Sequence, residues 1–127
     1  MPNKVIQTPH APSAIGTYSQ GIKIQNLVFT SGQIPINPDN GKLIIHDFKL
    51  EVSQVLKNLN AILSEGGSSL QSAVKLTVYL TDIAYFSSVN EVLNEYLPKD
   101  PPARSVVQVS ALPMSARIEI EAIGFVE

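Results

Sequence analysis

From Asp47 onward apolar residues recur at Phe48, Val52, Val55, Leu56, Leu59, Ile62 and Leu63, the three-four spacing of one helical face, with Asp47 placed as an N-cap. Gly66-Gly67 ends that helix. A second helical face follows at Phe86, Val89, Leu93, Tyr96 and Leu97, and Pro98 with Pro101-Pro102 prevents it from continuing. Between the two, Val74, Leu76, Val78 and Leu80 alternate with Lys75, Thr77 and Tyr79, which predicts a half-buried strand with those four aliphatic residues on its core face.

Earlier in the chain, Ile22-Lys23-Ile24 and Leu27-Val28-Phe29-Thr30 are β-favouring runs separated by Gln25-Asn26 and predict a tight hairpin. A short opening strand is expected over Lys4 to Thr8. Gly32 to Lys42, dense in turn formers at Asn37-Pro38-Asp39-Asn40-Gly41, is expected to be a surface loop. The last third predicts strands at Ser105 to Val109 and Arg117 to Val126, joined by a turn around Pro113. Period two puts Ile118, Ile120 and Ala122 on one face and Arg117, Glu119 and Glu121 on the other, while Arg104, Val106 and Gln108 share a face. The element order predicts an α+β layer in which both helices cover one side of a mixed sheet, leaving the other side wet or covered by a partner.

At 127 residues, with no repeat or linker-like segment, the chain is read as one domain spanning 1-127. Hydrophobic residues make up 44% and charged residues only 16%, against about 25% in a typical domain, which excludes a disordered chain. The net charge of -2 supplies no strong basic field for a polyanion or an anionic membrane. Cysteine is absent, so disulfides, thiolate nucleophiles and Cys-ligated metals are excluded. His10 and His46 lie far apart in sequence, so no metal site is expected. Met1 to Pro12 contains no apolar stretch of the kind a signal peptide needs, and no later run approaches the ~20 apolar residues of a membrane span. The default expectation is a cytoplasmic protein.

Candidate chemistry is sparse. Pro102-Ala103-Arg104-Ser105 mounts an arginine where a proline-stiffened loop meets a strand, suited to gripping a carboxylate bidentately, although a surface salt bridge explains it as well. Glu119 and Glu121 offer a general base or simply a solvated face. Tyr18 sits in the glycine-bracketed segment Ile15-Gly16-Thr17-Tyr18-Ser19-Gln20-Gly21, either stacking on a planar substrate or capping a core edge. Thr30-Ser31-Gly32-Gln33 lets a ligand approach the backbone, or is a plain turn, and Asn90 either bonds a substrate or caps a helical turn.

Taken together, Ala14-Ile15-Gly16-Thr17-Tyr18-Ser19-Gln20-Gly21, Thr30-Ser31-Gly32-Gln33-Ile34-Pro35, Val89-Asn90, Pro102-Ala103-Arg104-Ser105 and Arg117-Ile118-Glu119-Ile120-Glu121-Ala122 stand in the order and spacing of a known family. The chain resembles the YjgF/RidA family, also labelled endoribonuclease L-PSP, over roughly Pro9 to Val126. The resemblance implies a chorismate-mutase-like α+β fold, a homotrimer with three sites between subunits, and no cofactor. It implies hydrolysis of reactive enamines and imines such as 2-aminoacrylate and 2-aminocrotonate to 2-oxo acids and ammonia. Residue by residue, the family's carboxylate-binding arginine falls on Arg104, its water-positioning glutamate on Glu119 and its site tyrosine on Tyr18, with Ser31, Gly32 and Asn90 at cleft-lining positions. Two positions depart from the family's pattern: Val106 stands where many members carry cysteine, and Leu93 where many carry an aromatic residue. The alternatives are a non-catalytic module that binds 2-oxo acids through Arg104, and a ribonuclease or translation inhibitor. The acidic charge balance and the presence of only two arginines disfavour the nucleic-acid reading.

Overall fold

Residues 3–127 are described by a computed structural model, so Met1 and Pro2 of the polar N-terminal segment lie outside them. The chain runs β1 (Lys4–Ile6), β2 (Gly21–Ile24), β3 (Leu27–Thr30), β4 (Ile36–Asn37), β5 (Lys42–Leu43), α1 (Phe48–Glu65), β6 (Ala73–Leu80), α2 (Phe86–Tyr96), β7 (Ala103–Gln108) and β8 (Ile118–Phe125). Six strands form one sheet in the order β1-β2-β3-β8-β6-β7. Neighbours are antiparallel except β6 and β7, which are parallel because α2 makes the crossover between them. The mixed sheet with helices on one face is the expected arrangement.

α1 forms for the reasons its sequence suggests. The Asp47 carboxylate accepts the Leu50 N–H at 3.2 Å, a cap whose loss costs about 1 kcal/mol. At the other end Gly66 N–H reaches Leu63 O at 3.1 Å and Ser68 N–H reaches the same carbonyl at 2.9 Å, a closure that needs the left-handed φ of +90° at Gly67. The face between, Val52, Val55, Leu56, Leu59, Ile62 and Leu63, is fully buried among core residues that include Leu76, Val78 and Leu80 of β6 and Ile118 and Ile120 of β8. Each such side chain contributes about 1.5–3 kcal/mol by leaving water. No helix among the described residues is long and apolar enough to cross a membrane.

Three details depart from the sequence pattern. Val74 is exposed rather than core-facing, because the β6–β8 ladder pairs Ala73 with Gly124 and Lys75 with Ile123, and the skipped residue bulges outward. The stretch from Gly32 to Lys42 is not a plain loop: Ile36 pairs with Leu43 and Asn37 with Lys42 in a two-stranded ribbon, and Gln33 pairs with Ile120. Its strands are too short for a period-two signal. Arg117 does not share the face of Glu119 and Glu121. It precedes β8 and turns to the helix layer, where Nε and Nη2 donate to the buried carboxylate of Glu51.

The sheet face away from the helices carries Lys75, Thr77, Tyr79, Glu119 and Glu121 together with exposed Phe29, Val107 and Phe125. This is the face expected to be wet or covered by a partner.

Candidate active site in two halves

Glu119 lies mid-β8, paired with Tyr79 of β6 and flanked by a tightly held backbone segment. Ser31 N–H donates to Gln20 O at 2.8 Å and its hydroxyl to Ser19 O at 2.5 Å. One step on, Gln33 and Ile120 exchange N–H···O bonds of 2.9 and 3.1 Å. Gly32, caught between these anchors, lies against the Glu119 side chain. A Cβ at that position would fall 2.0 Å from Oε2 and 2.8 Å from Cδ, so only glycine gives the carboxylate this seat. Burial, and secondarily the neighbouring charge of Glu121, raises the Glu119 carboxyl above the usual carboxylate range.

A cavity of about 520 Å³ opens over this carboxylate, lined by Tyr18, Ser31 and Gly32 on one side and by Ile15, Pro113 and Met114 among its apolar groups. The Tyr18 ring is half exposed, and its hydroxyl accepts the Ile15 N–H at 3.3 Å, closing a turn through Gly16 at φ +115°. Gln20, buried beneath, holds the segment above it: Oε1 accepts from Thr8 N–H at 2.7 Å and Nε2 donates to Pro12 O at 2.7 Å.

Arg104 belongs to a different place. It stands on edge strand β7 toward the helix side, where Nη1 donates to Asn90 Oδ1 of α2 at 2.6 Å and the guanidinium lies 5.2 Å from the Phe86 ring centroid. Leu93, Leu97, Pro101 and Pro102 line the hollow of about 360 Å³ beside it. The guanidinium is thus aimed by a charge-assisted bond and a ring face while the residue itself stays exposed.

Tyr18, Ser31, Gly32 and Glu119 therefore come together, and so do Arg104 and Asn90, but the two groups are separate within one chain. They lie on opposite faces of the sheet with β6 between their strands, which sets those strands about 10 Å apart. Phe86 was not among the sequence-predicted site residues and is missed because its spacing reads as core. The signal was available, since it lies four residues before Asn90 and so on the same helical face. Among the described residues no three His, Asp or Glu side chains gather as metal ligands.

The geometry defines the class first: a two-layer α+β domain with a glycine-seated carboxylate on one sheet face and an asparagine-held arginine on the other. Residues 8–126 match the family model Endoribonuclease L-PSP, and the chain belongs to this family, also called YjgF/RidA. It is 47% identical over 127 residues, all of both chains, to a RutC family protein of Pyrococcus abyssi. It is 46% identical over 121 residues, 95% of this chain and 88% of the other, to a 2-iminobutanoate/2-iminopropanoate deaminase of Rattus norvegicus. The crystal structure of E. coli TdcF with bound serine superposes with a TM-score of 0.91 at 39% identity, covering 98% of this chain and 99% of that one.

Proposed function

We propose that this protein is a cytoplasmic deaminase that hydrolyses short-lived 2-imino acids and their enamine tautomers, such as 2-aminoacrylate and 2-aminocrotonate, to 2-oxo acids and ammonia. The observation that carries the reading is the partly desolvated Glu119 carboxyl seated on Gly32 beside Tyr18 and Ser31. The similarity to the rat imine deaminase supports it.

The chemistry follows from the substrate. A 2-imino acid is planar and anionic, so the Arg104 fork binds its carboxylate by two parallel hydrogen bonds and fixes the orientation of C2. An enamine first takes a proton on its methylene carbon and becomes the imine. Water then adds to C2, its proton passing to Glu119 and its oxygen forming the new C–O bond. The C=N π pair moves to nitrogen, which takes that proton back from Glu119 and a second through the Tyr18 hydroxyl; the C–N bond breaks as the C2 hydroxyl closes to the carbonyl and its proton restores Tyr18, and the nitrogen leaves as ammonia. A carboxyl whose pKa is raised by burial holds a proton more readily than a free one and suits both directions of transfer, a gain of about 10²–10⁴-fold. No covalent intermediate is needed, which fits a chain without cysteine.

Because one small acid cannot reach Arg104 and Glu119 of the same chain, the complete site is assembled between copies, with Arg104 of one facing Glu119 of the next. A homotrimer, implied by the resemblance, provides three such sites. The exposed Phe29, Val107 and Phe125 on the open sheet face are in keeping with such packing.

A second reading has one observation in its favour. A relative holds serine in its crystal structure, which suits a protein that binds small amino or oxo acids without turning them over. The test is a coupled assay in which a pyridoxal-phosphate dehydratase releases the enamine from serine or threonine and 2-oxo acid formation is followed. Wild type accelerates release, while Arg104→Ala and Glu119→Gln do not. If wild type gives no acceleration yet 2-oxo acids bind and Arg104→Ala abolishes that binding, the binding-only reading replaces the enzyme.

A further inference from the structure

Among the described residues, the one pair of consecutive non-glycine residues with positive φ lies in the lining of the Glu119 cavity and just beyond it. Met114 and Ser115 are consecutive non-glycine residues in the left-handed region, at φ +57° and +58°. Such a conformation is costly and persists only where its surroundings dictate it. They do here: Ala116 is buried and its N–H closes on Pro113 O at 3.1 Å, and Arg117 beyond it is tied to Glu51. The turn thus places Met114, 58% exposed, in the lining of the cavity, which Ile15, 85% exposed, also lines. Two large aliphatic side chains left in solvent beside the Glu119 carboxylate, in a cavity that Ile34, Ile36 and Pro113 also line, want an apolar occupant.

We infer that Met114 and Ile15 form an apolar clamp for the substrate's side chain and bias the protein toward imino acids with longer aliphatic chains. This rests on the deaminase reading for its geometry. With the carboxylate held by Arg104 and C2 at Glu119, the third substituent of the planar C2 faces the remaining wall, and that wall is Ile15, Pro113 and Met114. Methionine suits the role because its unbranched thioether adapts to chains of several shapes. The preferred ligand is therefore a 2-imino acid, or the derived 2-oxo acid, with a four- to six-carbon skeleton, ahead of the three-carbon one.

The test generates imines in situ with an L-amino acid oxidase from alanine, 2-aminobutyrate, norvaline and leucine, and measures relative kcat/KM by competition with a semicarbazide trap. In parallel, calorimetry follows binding of the matching 2-oxo acids. Wild type favours the longest chain over the alanine-derived imine by about tenfold or more, the discrimination an apolar pocket gives for a methylene or two. In Met114→Gly and Met114→Asn, both compatible with a left-handed backbone, that ratio falls toward one. Equal losses for every chain length, or an unchanged ratio, overturn the inference and make the rim a structural or subunit contact, which light scattering on the variants detects directly. If wild type turns over nothing but still binds long 2-oxo acids in preference, and Met114→Gly erases the preference, the deaminase reading fails while the clamp stands.

Discussion

Gly32→Ala is the sharpest probe of the carboxylate seat. The Gly32 backbone lies outside the left-handed region, so alanine is tolerated by the chain itself and the whole perturbation falls on Glu119. The new Cβ would fall 2.0 Å from Oε2, so the carboxylate must retreat by about 1.4 Å to reach ordinary van der Waals contact. Moving the end of a flexible side chain off its preferred rotamer costs about 0.5–1.5 kcal/mol, and the loss of glycine's freedom in the unfolded chain returns about 0.4–1 kcal/mol. Stability therefore changes little, and the melting temperature shifts by a few degrees at most. Catalysis has no such compensation. A misplacement of about 1 Å costs about 10²-fold, equivalent to about 2.7 kcal/mol of transition-state stabilisation. The expected outcome is a fall of about 10²-fold in kcat/KM in the dehydratase-coupled assay, with 2-oxo acid binding through Arg104 largely kept. Turnover within twofold of wild type at an unchanged melting temperature would refute the reasoning, since the position of Glu119 would then not matter. A collapse in stability would refute it differently, by showing that the clash is not absorbed by the side chain.

Glu119→Gln should abolish turnover, and it also reports the cost of burying the acid. Because the folded-state carboxyl titrates above the unfolded one, the folded chain retains a proton that the unfolded chain has released, so stability falls as pH rises through that window. Glu119→Gln therefore melts higher than wild type at neutral pH, and calorimetry below the usual carboxylate range should find the advantage gone; equal curves at both pH values contradict the assignment. Activity that depends on the carboxylate is lost as pH falls through the same raised value, and a rate profile without an acid limb argues against Glu119 as the base. Arg117→Ala leaves Glu51, 2% exposed, without its cation and should cost about 3–5 kcal/mol, whereas Arg117→Met with Glu51→Leu recovers most of it. Urea titration of the two variants separates these cases, and a near-neutral single substitution would show that the pair is not buried in effect.

The parts of the fold legible from sequence are those held by local pattern. The α1 face, its Asp47 cap and its Gly66-Gly67 stop are read by spacing alone, as is the hairpin closing at Gln25-Asn26. What was not legible depends on partners far along the chain. Val74 breaks its alternation only because the ladder with β8 shifts register, and Arg117 leaves the face of Glu119 because a carboxylate 66 residues away takes its guanidinium. The site is an extreme case. Nothing in the spacing of Gly32 and Glu119 announces that one is the floor of the other, and only the resemblance grouped Tyr18, Ser31 and Gly32 with Glu119 before the structure did so. The same resemblance grouped Arg104 with them, and the topology sets that residue on the opposite face. Arg104 and Asn90 meet because α2 is the crossover feeding the strand that carries Arg104.

That separation makes a quantitative demand on the assembly. If each site takes Arg104 from one copy and Glu119 from the next, then Arg104→Ala and Glu119→Gln chains are each inactive alone but complementary when mixed. In a cyclic assembly built at random from equal amounts, a site is intact when its first chain has kept Arg104 and its second has kept Glu119, which holds for about one quarter of the sites. Co-refolded mixtures should therefore recover about one quarter of wild-type activity. The converse mixture supplies the control: when wild type is co-refolded with an equal amount of the double variant, the activity per total chain is about one quarter of that of pure wild type if the site is shared, and about one half if each chain holds its own. No recovery in the first mixture together with one half in the second would place the whole site within a single chain. Arg104 would then have to leave Asn90 and cross the sheet edge to meet Glu119, a rearrangement that the 2.6 Å bond and the Phe86 ring oppose.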